Sequence, residues 1–144
     1  MERPEIRRLS AEEISDLLAL DVPAHLATTD PDGYPRITPL WFLYEDGAFR
    51  MTSVEGQPHL RNIDADPRAA ICVDVEERQA RDGHRPNRRF RAQGRAELAR
   101  DKDGTWTRRI TQKYLPGDEA AADRRSSMPR VVITLRPERL VAQG

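Results

Sequence analysis

Two tight-turn signatures lie close together in this chain, Asp30-Pro31-Asp32-Gly33 and Glu45-Asp46-Gly47. Pro is favoured at the second turn position and Gly at the fourth. Segments with strand character flank them: Ala24 to Thr29, Tyr34 to Tyr44, and Ala48 to Ser53. Turns this short join antiparallel strands, because a parallel pair needs a crossover of about a dozen residues or more. The region is therefore expected to form an antiparallel meander. Pro39 falls inside the middle strand and cannot donate to a ladder, so that strand is expected at an edge or bulged at that point.

The rest of the chain supplies helices and further strands. Ser10 and Glu13 read as a capping box. Ile14, Leu17, Leu18 and Val22 then recur at helical spacing, predicting a helix from about Ala11 to Leu20 that ends near Pro23. Gln57 to Ala65 reads as a short helix with Leu60 and Ile63 turned inward, stopped by Asp66-Pro67. Arg68 to Val75 is expected to be a buried strand, and Glu76 to Asn87 a solvated loop or long hairpin tip. Arg88 to Leu98 alternates in part, and Gly94 within it predicts a bulge or a close backbone approach. Trp106, Ile110 and Tyr114 repeat every four residues and predict an amphipathic helix over 103–115. Residues 116–129 read as a polar, mobile connector, and 129–142 as the last strand, bent at Pro137. No repeat or boundary divides residues 1–144, which read as one domain. About six short, turn-linked strands and three helices fit best in a mainly β fold, a small closed barrel with helices flanking it, which leaves few edges exposed.

Composition narrows the function classes. A chain of 144 residues buries roughly 68–70% of its unfolded surface and can build a core without staples. The 24 basic and 24 acidic residues cancel, which removes the global field of a general nucleic-acid binder. No run approaches the ~20 apolar residues of a membrane span, and the start of the chain lacks the apolar region of a signal peptide. A cytoplasmic protein is expected. The lone Cys72, in the apolar run Ala69 to Val75, is expected to be a buried structural thiol. There is no glycine-rich dinucleotide fingerprint and no P-loop. His25, His59 and His84 stand apart from one another and from other ligands, so no metal site is expected. No nucleophile triad or catalytic acid–base pair stands out. Any redox or transfer chemistry would have to be carried by a cofactor.

Four segments in order carry a resemblance: AHLATTDPDGYPRITPLWF from Ala24, FRMTS from Phe49, GQPHLRNIDADPRAAICV from Gly56, and FRAQGRAEL from Phe90. With RRITQKYLPGDEA and RVVITLRPERLVA near the end, they resemble the pyridoxamine 5′-phosphate oxidase-like family of FMN-binding split barrels. The likeness is strongest to its flavin- and deazaflavin (coenzyme F-420)-dependent branch and runs from about residue 9 to 142. It implies a six-stranded antiparallel split β-barrel and a homodimer with a cofactor groove at each side of the interface. The implied cofactor is FMN or coenzyme F-420, and the implied activity is an oxidoreductase passing hydride to a small unsaturated acceptor. The alternative on the same fold is a non-catalytic flavin or haem carrier.

The resemblance also marks cofactor-binding positions. Arg36, Ile37, Thr38, Pro39, Leu40 and Trp41 match the strand that lines the ring and reaches the phosphate, and Thr52 and Ser53 match the next strand's contacts. Pro58 and His59 fall where the family has basic phosphate ligands, and Arg89 matches a position that approaches the ring. The chemistry is consistent with this: Arg36 and Arg61 can hold a phosphate in bidentate fashion, and the start of the 57–65 helix can add amide donors. Pro39, Leu40 and Trp41 could form a flat apolar slot. His59 is expected to meet the phosphate as a cation. Each residue also has a plainer reading. Arg36 is otherwise a solvated charge, Trp41 a core or dimer contact, His59 a surface helix residue, and Arg61 a partner for Asp64 or Asp66. Arg89 belongs to a run with Arg78, Arg81, Arg85, Arg88, Arg91 and Arg95. That run holds only Phe90 as an aromatic, so it lacks the stacking platform of single-strand binders. Attraction of an anionic cofactor or substrate is the expected use, with no nucleic-acid partner.

Overall fold

The computed structural model describes residues 7–80 and 82–144. The first six residues and Arg81 of the arginine run lie outside the described residues. Helix α1 spans Ala11–Ala19, and its capping box is complete: the Glu13 amide donates to Ser10 Oγ at 3.1 Å, and the Ser10 amide to Glu13 Oε1 at 3.1 Å. Arg7 adds a two-pronged ion pair to the same Glu13. Leu17 and Leu18 point from this helix into the core.

Strand β1 (Ala24–Thr29) and strand β2 (Pro35–Leu40) form the first hairpin. Its turn is held by Asp30 Oδ1, which accepts the amides of Asp32 and Tyr34, both at 2.9 Å. Strands β3 (Leu43–Glu45) and β4 (Ala48–Val54) form the second. Asp46 and Gly47 both take positive φ there, 51° and 72°, the twist that a two-residue hairpin turn needs. The expected meander is thus two hairpins. The stretch Tyr34–Tyr44 is two strands rather than one, and they lie at opposite ends of the sheet order β2-β1-β5-β6-β7-β4-β3. The break is at Trp41-Phe42 rather than at Pro39, because Phe42 turns fully inside the core. β2 is an edge strand, as Pro39 predicts.

Helix α2 (Pro58–Ala65) leads into strand β5 (Arg68–Glu76), and a long tip joins that to strand β6 (Asn87–Arg100). β6 is the hinge of the barrel. Its residues 87–95 pair with β5, and its residues 96–100 pair with strand β7 (Arg130–Leu135). Strand β8 (Arg139–Gln143) pairs with β6 over 89–93. The expected last strand is therefore two, with Arg136-Pro137-Glu138 carrying the chain from one half of the barrel to the other. Gly94 sits at this handover, where a Cβ would stand 2.5 Å from the Arg136 carbonyl oxygen. The close approach read from the sequence is what the fold uses.

Helix α3 spans Thr105–Tyr114. The expected connector over 116–129 instead contains helix α4, Glu119–Ser126, capped by Asp118 and buried only through Ala121 and Ala122. Eight strands and four α-helices among the described residues replace the six and three expected. The class is unchanged: a mainly β, antiparallel split barrel with flanking helices. Leu17, Leu26, Phe42, Phe49, Met51, Phe90 and Ile133 are fully or nearly fully enclosed in its core. Cys72 is not. Alternation along β5 puts Ala69, Ile71 and Val73 inside and leaves Cys72 half-buried on the outward face. No helix among the described residues is long and apolar enough to cross a membrane.

Candidate functional site

A cavity of about 380 Å³ opens where β2, β4, the start of α2, α4 and β7 meet. From β2 and the break after it come Thr38, Pro39, Leu40 and Trp41, and from β4 come Thr52, Ser53 and Val54. Gln57 and His59 approach from α2, Arg125 from α4 and Arg130 from β7. The volume lies within the roughly 300–1,000 Å³ of small-molecule sites.

Most of the residues marked by sequence meet here, namely Thr38, Pro39, Leu40, Trp41, Thr52, Ser53 and His59. Four do not. Strand alternation places Ile37 on the opposite face of β2, 70% exposed. Arg36 donates to Asp30 Oδ2 at 2.7 Å and so braces the hairpin turn. Arg61 is exposed on α2, in a separate hollow with Glu55 and Asp64. Arg89 lies on β6 in register with Asp74 on one side and Gln143 on the other.

Sequence reading missed Val54, Gln57, Arg125 and Arg130. The two arginines give the cavity its charge. Arg130 is fixed: its Nε donates to Thr52 Oγ1 at 3.2 Å, and its Nη2 to the Thr52 carbonyl at 3.0 Å. Arg125 is not. Its guanidinium lies 4.4 Å from the centre of the Trp41 ring, and its buried Nε has no hydrogen-bond partner. Neither forms an ion pair among the described residues. Burial lowers the pKa of both, and the charge of Arg125 lowers that of Arg130 further.

Trp41 is engaged by two neighbours. Tyr114 stacks on it at 4.5 Å with the rings parallel to within 1°, and the Arg125 guanidinium lies 4.4 Å from its ring centre. Tyr114 in turn is tied down: its hydroxyl donates to the Val22 carbonyl at 2.7 Å and accepts the Phe42 amide at 3.2 Å. Pro39, Leu40 and Trp41 line the cavity as expected of an apolar slot, with the Trp41 indole shared with Tyr114 and Arg125.

His59 is 7% exposed rather than a surface residue, and its Nε2 shares a 2.6 Å hydrogen bond with Ser53 Oγ. Burial holds its pKa below the usual value, which favours the neutral ring. This differs from the expected cationic phosphate ligand. The cations here are Arg125 and Arg130. At the start of α2, Pro58 has no N–H, and the amides of Leu60 and Arg61 both turn back to the Gln57 carbonyl, so the His59 amide is what this helix end can offer a ligand. Asn62 donates to Thr28 Oγ1 at 3.2 Å and pins α2 to β1.

The family described as pyridoxamine 5′-phosphate oxidase matches this chain over residues 10–144. Among solved structures, an F420 reductase superposes with a TM-score of 0.65 at 26% identity, covering 88% of this chain and 94% of its own. A FAD-binding protein from Mesorhizobium loti gives 0.66 at 23% identity, covering 96% of each chain. HutZ, the heme storage protein from Vibrio cholerae, gives 0.73 at 19%, covering 93% of this chain and 94% of its own. A search of curated proteins gave no match.

Proposed function

The chain belongs to the pyridoxamine 5′-phosphate oxidase family, and from that premise we propose that it is an FMN- or deazaflavin (coenzyme F-420)-dependent oxidoreductase acting on a small unsaturated acceptor. The observation that carries the reading is the charge of the cavity. Arg125 and Arg130 line it without an ion-pair partner among the described residues, beside Thr38, Ser53 and Gln57 as neutral donors and acceptors. A phosphorylated tricyclic cofactor needs such a set: cations for its anionic end, and hydroxyl and amide groups for the polar edge of its ring. The F420 reductase and the FAD-binding protein of the same fold support the same class of ligand.

The bound cofactor would supply the hydride chemistry. The chain's own part is to bind, orient and keep the ring dry. Arg130 and Arg125 would anchor the anionic end. Thr38, Ser53 and Gln57 would meet polar atoms of the ring or its chain, and Leu40 and Val54 would cover apolar surface. Ser53 and His59 share one hydrogen bond, which uses one of the two protons they carry and leaves the other to donate. The second reading is a carrier that binds a flavin or haem without turnover, favoured by the FAD-binding protein and the heme storage protein of the same fold.

A homodimer belongs to the proposal. The outward face of β1, β2, β5, β6 and β8 forms a shallow hollow of about 510 Å³, lined by Ile37, Cys72 and Val141 among others. Leu140 and Val141 are 49% and 47% exposed there. Monomers rarely leave such apolar surface uncovered. A second copy docked on it would return Ile37 and Arg89 to the border of a cofactor groove. The test is anaerobic mixing of the chain with reduced FMN or reduced coenzyme F-420 and a panel of quinones and enones. Cofactor oxidation that needs both chain and acceptor supports the enzyme. Saturable binding without turnover supports the carrier.

A further inference from the structure

We propose that Arg125 and Arg130 together form the anion subsite of the cavity, taking a phosphate group in place of any cation on α2. The inference deepens the proposed function and rests on it for the identity of the phosphate's bearer.

Three observations lead to it. Arg125 has a buried Nε with no partner, an arrangement that costs free energy unless a ligand completes it. Its charge sits close enough to that of Arg130 to disfavour ionisation there, while the buried Asp101 carboxylate, outside the cavity, favours it; among the described residues neither arginine forms an ion pair. Like charges brought together in a cavity without a directly paired carboxylate destabilise a fold and are kept where an anion is to bind. Third, the two are prepared differently. Arg130 is held by both the hydroxyl and the carbonyl oxygen of Thr52. Arg125 rests on Trp41 through a cation–π contact alone, which uses none of its hydrogen-bond donors. One arginine is a fixed half of the site. The other is parked beside it, with its donors free to turn to an oxyanion.

The groups facing this pair are Ser53, His59 and Gln57. None is an anion, so nothing within the cavity competes for the guanidinium donors. The position of Arg125 also explains how the chain manages with Pro58 at the start of α2: the cations arrive from α4 and β7, elements far along the chain.

The first arm of the test uses inorganic phosphate, with sodium chloride of equal ionic strength as the control. Phosphate is expected to raise the thermal midpoint of the wild-type chain and to leave Arg125→Gln unmoved, with Arg125→Lys intermediate. Without phosphate, Arg125→Gln is expected to melt no lower than wild type, since it removes an unpartnered charge. No phosphate shift in wild type, or an equal shift in Arg125→Gln, overturns the subsite. The second arm compares FMN with riboflavin, which lacks the phosphate. FMN is expected to bind about tenfold tighter or better, and Arg125→Gln is expected to abolish the difference while leaving riboflavin affinity as it was. A preference that survives in Arg125→Gln overturns the subsite. If phosphate acts as expected and neither flavin binds, the subsite stands and the flavin reading falls.

Discussion

The Thr107 hydroxyl on α3 meets the Thr52 hydroxyl on β4 at 2.9 Å, with both residues buried. Thr107 Oγ1 is also 2.7 Å from Asp101 Oδ2. A carboxylate only accepts, so Thr107 gives its proton to Asp101 and receives that of Thr52. Thr52 in turn accepts from Arg130 Nε. The chain Arg130–Thr52–Thr107–Asp101 thus orients a cavity cation from a buried carboxylate that never touches the cavity. The amides of Trp106 and Thr107 also donate to Asp101, both at 3.0 Å, so the same group starts α3.

Thr107→Val keeps the shape and breaks this relay. Asp101 and Thr52 each lose a buried partner, which costs about 1–3 kcal/mol. Urea unfolding is expected to show a lower midpoint with an unchanged slope. FMN affinity is expected to fall as well, because Arg130 loses its fixed orientation. An unchanged midpoint would remove the relay from the account.

His59 gives the acid side of the stability profile a sign. Burial lowers its folded pKa below the ordinary 6.5. As pH falls through that value, the unfolded chain takes up a proton that the folded chain resists, and stability drops. Above it the contribution is flat. Around the ring stand the Ser53 hydroxyl and, in the same cavity, Arg125 and Arg130; burial is the cause of the shift. Thermal midpoints measured from pH 8 to 5 are expected to fall below about 6.5 in wild type and to fall less in His59→Gln. Equal slopes would show that the ring titrates as freely folded as unfolded.

Gly94→Ala tests the handover of β6 between the two halves of the barrel. The added methyl would stand 2.5 Å from a backbone oxygen, which has no flexible end to move aside. Overpacking of this kind costs about 1–3 kcal/mol. A calorimetric midpoint equal to wild type would mean that the crossing at Arg136 yields easily.

Val141→Asp places a charge in the middle of the apolar outer face. If a second copy covers that face, the substitution is expected to halve the mass seen by light scattering and leave the circular dichroism spectrum unchanged. A wild-type chain that is already monomeric would remove the homodimer, and a variant that stays dimeric would move the interface elsewhere.

Local signals carried much of this structure and long-range ones did not. The capping box at Ser10 and Glu13 and the hairpin turns at Asp30 and Asp46 act within a few residues, and their chemistry is in the sequence. Helix α4 was hidden because Glu119–Ser126 buries only two alanines and shows no apolar stripe; Asp118, as its cap, was the available sign. Pro39 and Pro137 marked interruptions, but only pairing partners distant in the chain show that each long stretch serves both halves of the barrel. The site divides the same way. Thr38 to Trp41, Thr52, Ser53 and His59 lie on neighbouring elements that a motif can mark. Arg125 and Arg130 are two among 24 basic residues, and only the packing of α4 and the pairing of β7 with β4 bring them in. Arg36 and Arg61 carry the right chemistry, but neither lines the cavity. Asp30 holds the first, and the second points away on the outer side of α2.

The most direct test of the central claim is a parallel fluorescence titration of the purified chain with FMN and with coenzyme F-420 at low ionic strength. The account predicts saturable binding of at least one of them, one per chain, weakened by added salt because the anchor is a pair of arginines. A folded protein that binds neither would contradict it.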